Sequence, residues 1–156
     1  MTLDRLDRQL LGLLQSDANR TIRDLAGQLG VSAPTCLRRI RRLKQAKLLL
    51  GTVAVVDPVR AGFSVQALFE VKLHETGGAA LRRFEAGMRA RESVAQCFEV
   101  AGELDYLVTV VAKDMADLAR FIERALSNDA NVASFRTHVV LRRVVDRRTL
   151  PIPADG

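Results

Sequence analysis

The sequence predicts an α+β protein in two parts, a helix-turn-helix half followed by a ferredoxin-like βαββαβ half. Three observations carry this. Leucines at helical spacing occupy the first forty-odd residues, interrupted by two turns. A period-two alternation begins at Ser64 and opens a strand-helix-strand-strand-helix-strand order. Residues 1–60 hold eleven Lys and Arg against five Asp, while residues 61–156 hold thirteen bases and thirteen acids, so the whole net charge of +6 lies in the first part. Such asymmetry predicts one polyanion-binding half and one neutral half with a different task.

Leu3, Leu6, Leu10, Leu13 and Leu14 define a first helix, with Asp4 and Asp7 near its positive end. The stretch SDANRT breaks it. Thr21 and Asp24 form a capping-box pattern ahead of Leu25, Ala26 and Leu29, and Gly30 is placed to end this short second helix. Ser32 can cap a third helix, with Pro34 in a first turn whose N–H groups lack intrahelical partners. Two helices joined by LGVS make a helix-turn-helix. In the third helix Leu37, Ile40 and Leu43 are expected to face inward, with Cys36 as a small packing residue.

The stretch Ser32–Lys47 carries six positive charges and no negative one, so no i,i+4 acid is available to neutralise the run. A helix of this width fits the major groove, and its N-terminal residues reach base edges. Thr35, Arg38 and Arg39 are therefore expected at or near bases, with the cap Ser32 beside them. Arg41, Arg42, Lys44 and Lys47 are expected at phosphates, which fix register but carry no sequence information. The predicted partner is double-stranded DNA. With no Trp and 4% aromatics, base stacking on exposed rings is not the expected mode.

The segment LLLGTVAVVDP then predicts a strand over Gly51–Val56, a natural contact between two copies of the chain. Beyond it, Val65, Ala67, Phe69, Val71 and Leu73 share one strand face. Gly77 and Gly78 lead into a helix with Leu81, Phe84 and Met88 inward. Strands are expected near Val94–Ala101 and Tyr106–Lys113, a helix from Asp114 with Leu118, Phe121, Ile122 and Ala125 inward, and a last strand over Val132–Val145. Such a sheet carries helices on one face, and a second subunit can cover the other.

Other classes find little support. Cys36, Cys97, His74 and His138 lack metal-ligand spacing, so neither a metal nor a cofactor is expected. The two cysteines form no CxxC pair, which fits a reducing cytoplasm. Met1 leads into TLDRLDRQLL, neither a secretory signal nor a membrane span. No sequence-local nucleophile–base pair is present, and no catalytic residue is assigned.

Over nearly its whole length the chain resembles the Lrp/AsnC (feast/famine) transcriptional regulators. The resemblance rests on LDRLDRQLLGLLQSDAN, LAGQLGVS, LRRIRRL, the DP at Asp57, CFEVAGELDYLVTVVAKDM, the THVVL strand and the closing TLP. It implies a winged helix-turn-helix domain over 1–50, a linker strand over 51–62, and an effector-binding and oligomerisation domain of the RAM/AsnC type over 63–156. It also implies regulation of amino-acid metabolism by dimers that assemble into tetramers or octamers, with an amino acid bound between neighbouring subunits. The family's Gly-x-x-Asp turn matches Gly102, Glu103, Leu104 and Asp105. A zwitterion needs N–H donors for its carboxylate and an acceptor for its ammonium, a role that falls to Asp105. Met115, Thr137, His138, Val139 and Val140 match further pocket positions. Leu104, Met115 and the valines favour an apolar effector such as leucine or methionine. Two departures stand out: Lys47 occupies a position that is usually glycine, and His138 stands where some relatives have tyrosine. The competing expectations are a ligand-independent architectural DNA-binding protein and an enzyme like the siroheme decarboxylases, which resemble this family.

Overall fold

The structure is a computed structural model that describes residues 2–153; the outer ends of the two expected domains, residue 1 and residues 154–156, lie outside it. The chain divides into two compact units, one holding the residues up to Val55 and those from Val145 onward, the other Val56–Val144.

The first unit is built from α1 (Arg5–Ser16), α2 (Ile22–Leu29) and α3 (Ala33–Gln45). Asp4 caps α1 in a reciprocal box with Asp7, and Thr21 does the same for α2 with Asp24. Each box satisfies two backbone donors that a helix start leaves open. Gly30 takes the left-handed conformation, φ 65°, that ends α2, and the Ser32 side chain caps α3. Leu10, Leu11, Leu25, Ala26, Cys36, Ile40 and Leu43 form the core. The inward stripe of α3 is thus Cys36, Ile40 and Leu43, with Leu37 only half-buried. Spacing of four and three keeps a stripe on one side of a 3.6-residue turn, whereas successive threes drift around it.

Helix α3 ends with Lys47 at φ 54°. The Lys47 N–H bonds to the Lys44 carbonyl at 3.0 Å and the Leu48 N–H to the Leu43 carbonyl at 3.0 Å, the two bonds of a Schellman ending. Lysine thus adopts the backbone that glycine usually takes here.

After α3 the expected strand over Gly51–Val56 does not form. Val53, Val55 and Val56 are exposed, and among the described residues the segment has no ladder partner. A strand is defined by its neighbour, so β-branched composition cannot make one in a single chain. The C-terminal stretch also sits otherwise than the sequence places it. The Gln15 side chain donates to the Leu150 carbonyl at 3.1 Å and accepts the Leu150 N–H at 2.6 Å, while Ile152 packs on the first core. These residues thus belong with the helical unit.

The second unit comprises β1 (Val65–Leu73), α4 (Gly78–Arg89), β2 (Val94–Glu99), β3 (Tyr106–Ala112), α5 (Met115–Ile122), a π-helical stretch (Glu123–Ser127) and β4 (Val132–Val139). The sheet order is β2-β3-β1-β4, antiparallel throughout, as the split βαβ pattern requires. Ala67, Phe69, Val71 and Leu73 face the helices and meet Phe84, Met88, Leu118 and Phe121. Phe69 and Phe121 meet as tilted rings with centroids 5.5 Å apart, and Phe84 and Tyr106 at 4.8 Å. Strand β4 stops at Val139, six residues short of expectation, with the Val140 N–H still bonded to the Gln66 carbonyl at 2.8 Å. The other face of the sheet carries Leu68, Leu107, Val111 and an exposed Phe98, and α4 and α5 do not contribute to it.

Candidate nucleic-acid interface and effector turn

The start of α3 is set by its cap. Thr35 N–H donates to Ser32 Oγ at 3.4 Å, and Ser32 Oγ donates to Thr35 Oγ1 at 2.9 Å. Both hydroxyls thus sit at the first turn, where a groove-binding helix meets bases. Arg38, Arg41 and Lys44 follow at intervals of three along the outer side. All three are exposed and have no carboxylate partner among the described residues. Thr35 is half-buried, and Lys47 extends the exposed basic run past the helix end.

Arg39 and Arg42 are placed differently from the sequence expectation. Arg39 Nη1 donates to Asp4 Oδ2 at 2.6 Å and to Asp7 Oδ1 at 2.8 Å, and its side chain is only 19% exposed. Arg42 Nη2 pairs with the other oxygen of Asp7, a carboxylate that is fully buried. The Arg39 guanidinium, with the Asp7 N–H, holds the Asp4 carboxyl below its ordinary value, and the Asp4 carboxylate, with that of Asp7, raises Arg39. Two arginines of α3 therefore fasten it to the start of α1, and the cationic arc narrows to Arg38, Arg41, Lys44 and Lys47. The sequence carries a signal for this that charge counting misses. Asp4 and Asp7 stand three apart on one helix, Arg39 and Arg42 three apart on another, so each pair shares a face.

In the second unit, the turn between β2 and β3 is latched onto β1. The Asp105 N–H donates to the Val71 carbonyl at 2.9 Å, and Asp105 Oδ2 accepts the Leu73 N–H at 2.7 Å. Its Oδ1 lies 3.8 Å from Lys72 Nζ. Gly102, at φ 144°, takes a backbone conformation that disfavours side chains. A concavity of about 150 Å³ brings Glu103 and Leu104 together with Glu70, Lys72 and Arg136.

Of the other expected effector residues, His138 touches its lining through Glu70, while Met115, Val139 and Val140 lie away from it. Met115 is exposed at the start of α5, beyond the far end of β3, roughly 20 Å of strand from the turn. Thr137 pairs with Phe69 and Val139 with Ala67, progressively nearer that far end, followed by Val140. His138 Nε2 lies 3.2 Å from Glu70 Oε1 on the open face. One chain therefore does not gather the nine residues at one place. Burial pushes the Cys36 and Cys97 thiols up from their ordinary value, so neither is an activated thiolate at neutral pH. Among the described residues no group of three or more His, Cys, Asp or Glu could hold a metal ion, and no helix is long and apolar enough to cross a membrane.

Comparison with known proteins agrees with both halves. Residues 3–44 match the AsnC-type helix-turn-helix domain and residues 66–150 the Lrp/AsnC ligand binding domain. The chain is 34% identical over 144 residues to the leucine-responsive regulatory protein of Rhizobium meliloti, covering 92% of each. It is 33% identical to the Bkd operon transcriptional regulator of Pseudomonas aeruginosa, over 96% of this chain and 98% of that one. A Neisseria meningitidis transcriptional regulator solved with L-methionine superposes with a TM-score of 0.90 at 28% identity, over 96% of this chain and 97% of the other. These relatives are regulators and not enzymes, which sets the catalytic reading aside. With a capped, basic second helix in its helix-turn-helix and an antiparallel β2-β3-β1-β4 sheet in its second unit, the chain belongs to the Lrp/AsnC family of transcriptional regulators.

Proposed function

We propose that the regulator reads DNA with the outer arc of α3 and that it answers to an amino acid held between copies of the chain. Ser32, Thr35 and Arg38 meet base edges, while Arg41, Lys44 and Lys47 hold phosphates. Arg39 and Arg42 orient the helix from behind. The observation that carries this reading is the exposed, acid-free arc on a helix whose two remaining arginines are neutralised by Asp4 and Asp7.

The effector site is proposed at the turn Gly102–Asp105, completed by Met115 and Thr137–Val140 of a neighbouring copy. The separation of Met115, Val139 and Val140 from the turn within one chain supports a shared site, as does the structure of a similar protein with L-methionine. An apolar amino acid, leucine or methionine, suits Leu104, Met115, Val139 and Val140. Copies pair across the open sheet face through Phe98, Leu107 and Leu68, and through Gly51–Val56, whose exposed valines gain a ladder partner only from another chain. Dimers, and tetramers or octamers of them, then present two α3 helices to successive grooves in the cytoplasm. The ligand regulates by binding one assembly more tightly than another.

Mapping of bound genomic sites with and without the twenty amino acids, combined with calorimetry on the purified chain, tests the reading. Retardation of the mapped duplexes and heat with an apolar amino acid are expected. Retardation without heat from any amino acid would leave a ligand-independent architectural protein, and no retardation of any duplex in dilute buffer ends the DNA reading itself.

A further inference from the structure

At the end of the β2–β3 hairpin away from Gly102–Asp105 lies a concavity of about 280 Å³ that the reading above does not use. Its floor is apolar, from Val110, Ala112 and the buried ring of Phe121, and its rim is cationic, from Arg91, Arg120 and Arg124.

The three guanidinium groups differ in state. Arg91 is fixed: Nη1 donates to the Gly87 carbonyl and Nη2 to the Arg124 carbonyl at 3.3 Å, tying the end of α4 to the π-helical stretch. Carbonyls are neutral, so the fork is oriented while its charge stays uncancelled. Arg120 donates to Asp117 Oδ1 at 3.0 Å, which offsets one charge. That carboxylate is held in turn by the Lys113 N–H at 3.1 Å. The Arg124 side chain has no ion-pair partner among the described residues, and Glu92, next to Arg91, and Glu123, next to Arg124, do not line the cavity. Three positive charges thus face one negative charge.

Helix irregularity helps to place Arg124. Past Ile122 the chain widens into a π turn, with the Asn128 N–H bonded to the Glu123 carbonyl at 3.0 Å. Ala125 and Leu126 both remain in the core, and Arg124 is left on the exposed side with Arg120. Single π turns within helices recur at functional sites.

We propose that this cavity binds a small metabolite with a doubly charged oxyanion head, a phosphate monoester above all, whose carbon body lies on Phe121 and Ala112. Planar guanidinium forks match phosphate and carboxylate oxygens two at a time. The Ser93 hydroxyl on the rim can add a donor. The volume is at the lower end of small-molecule sites, which suits a three- or four-carbon compound better than a nucleotide. A merely solvated basic face leaves unexplained why Arg91, from the loop after α4, converges with Arg120 and Arg124 over an apolar floor. The site goes beyond the amino-acid reading and gives the regulator a second chemical input.

Calorimetry on the full chain in a zwitterionic, low-salt buffer tests it with glycerol 3-phosphate, inorganic phosphate and succinate, and with glycerol as the uncharged control. Saturable binding of about one glycerol 3-phosphate per chain is expected, weakened at least tenfold by Arg124→Gln and unchanged by Arg83→Gln on the exposed side of α4. Circular dichroism checks that the variants fold, and Arg120→Gln replaces Arg124→Gln if that one does not. Succinate binding without phosphate binding would overturn the phosphate assignment in favour of a dicarboxylate. No saturable heat from any probe, or equal loss in Arg83→Gln and Arg124→Gln, would overturn the site.

Discussion

Arg39 Nη1 lies 2.8 Å from Oδ1 of Asp7, a carboxylate fully buried beneath the helix that faces DNA in our reading. The pair joins the first residues of α1 to the middle of α3. It makes the stance of α3 a property of two helices, and it removes one arginine from the surface offered to the groove.

Removing Asp7 takes away the buried acid that two arginines share. Asp7→Ala leaves Arg39 with Asp4 alone and Arg42 with no acid nearer than Asp4 at 3.9 Å, and should destabilise the helical unit by about 3 kcal/mol. Arg38→Ala removes only an exposed side chain and should stay within about 0.5 kcal/mol. Urea unfolding followed by circular dichroism compares them; similar midpoints for the two variants would contradict this ordering.

Asp4 gives the same network an acid dependence. Its folded value lies below the ordinary 3.8, first through Arg39 and then through the Asp7 N–H. A depressed carboxyl contributes stability that is whole above its unfolded value and is lost as the pH falls through the folded one. Asp24 behaves alike through its bonds to Thr21. Between pH 7 and strong acid, Asp4→Asn should therefore lose less stability than the native chain, measured as the shift in urea midpoint.

Lys47 holds a backbone conformation, φ 54°, that costs a side-chain-bearing residue about 1–2 kcal/mol. Glycine removes that cost but loses more chain entropy on folding. Lys47→Gly should thus raise stability by up to about 1 kcal/mol, read as a higher melting temperature. It should also flatten the salt dependence of DNA binding slightly, since Lys47 belongs to the run proposed to face phosphates.

At the effector turn, Asp105 combines a structural bond to Leu73 with the proposed hold on an ammonium group. Asp105→Asn keeps an oxygen for the Leu73 N–H and removes the charge. Stability should change by less than about 1 kcal/mol while amino-acid heat disappears. An Asp105→Asn protein that binds its amino acid as the native chain does would take that role from Asp105.

The sequence displays the order of the elements because each is written locally. Thr21 with Asp24, Gly30 and Ser32 mark helix ends, and alternation from Val65 to Leu73 sets the sheet face turned to the helices. What stays hidden depends on distant partners. Arg39 reads as a groove residue until Asp7, thirty-two positions away, is brought beside it. Ile152 gives no sign of which core it joins. Gly51–Val56 has strand composition, but it has no ladder partner among the described residues. The proposed effector residues are legible only through family resemblance, since spacing alone says nothing of a pocket gathered from distant segments.

The most direct test of the account is fluorescence anisotropy of Arg38→Ala and Lys44→Ala on a mapped operator and a scrambled duplex, across a salt series. Arg38→Ala should lose about 1–3 kcal/mol on the operator and far less on the scrambled duplex. Lys44→Ala should weaken both alike and lower the salt slope by about one. Operator binding by Arg38→Ala that equals the native chain at every salt concentration would contradict the claim that the outer arc of α3 reads DNA.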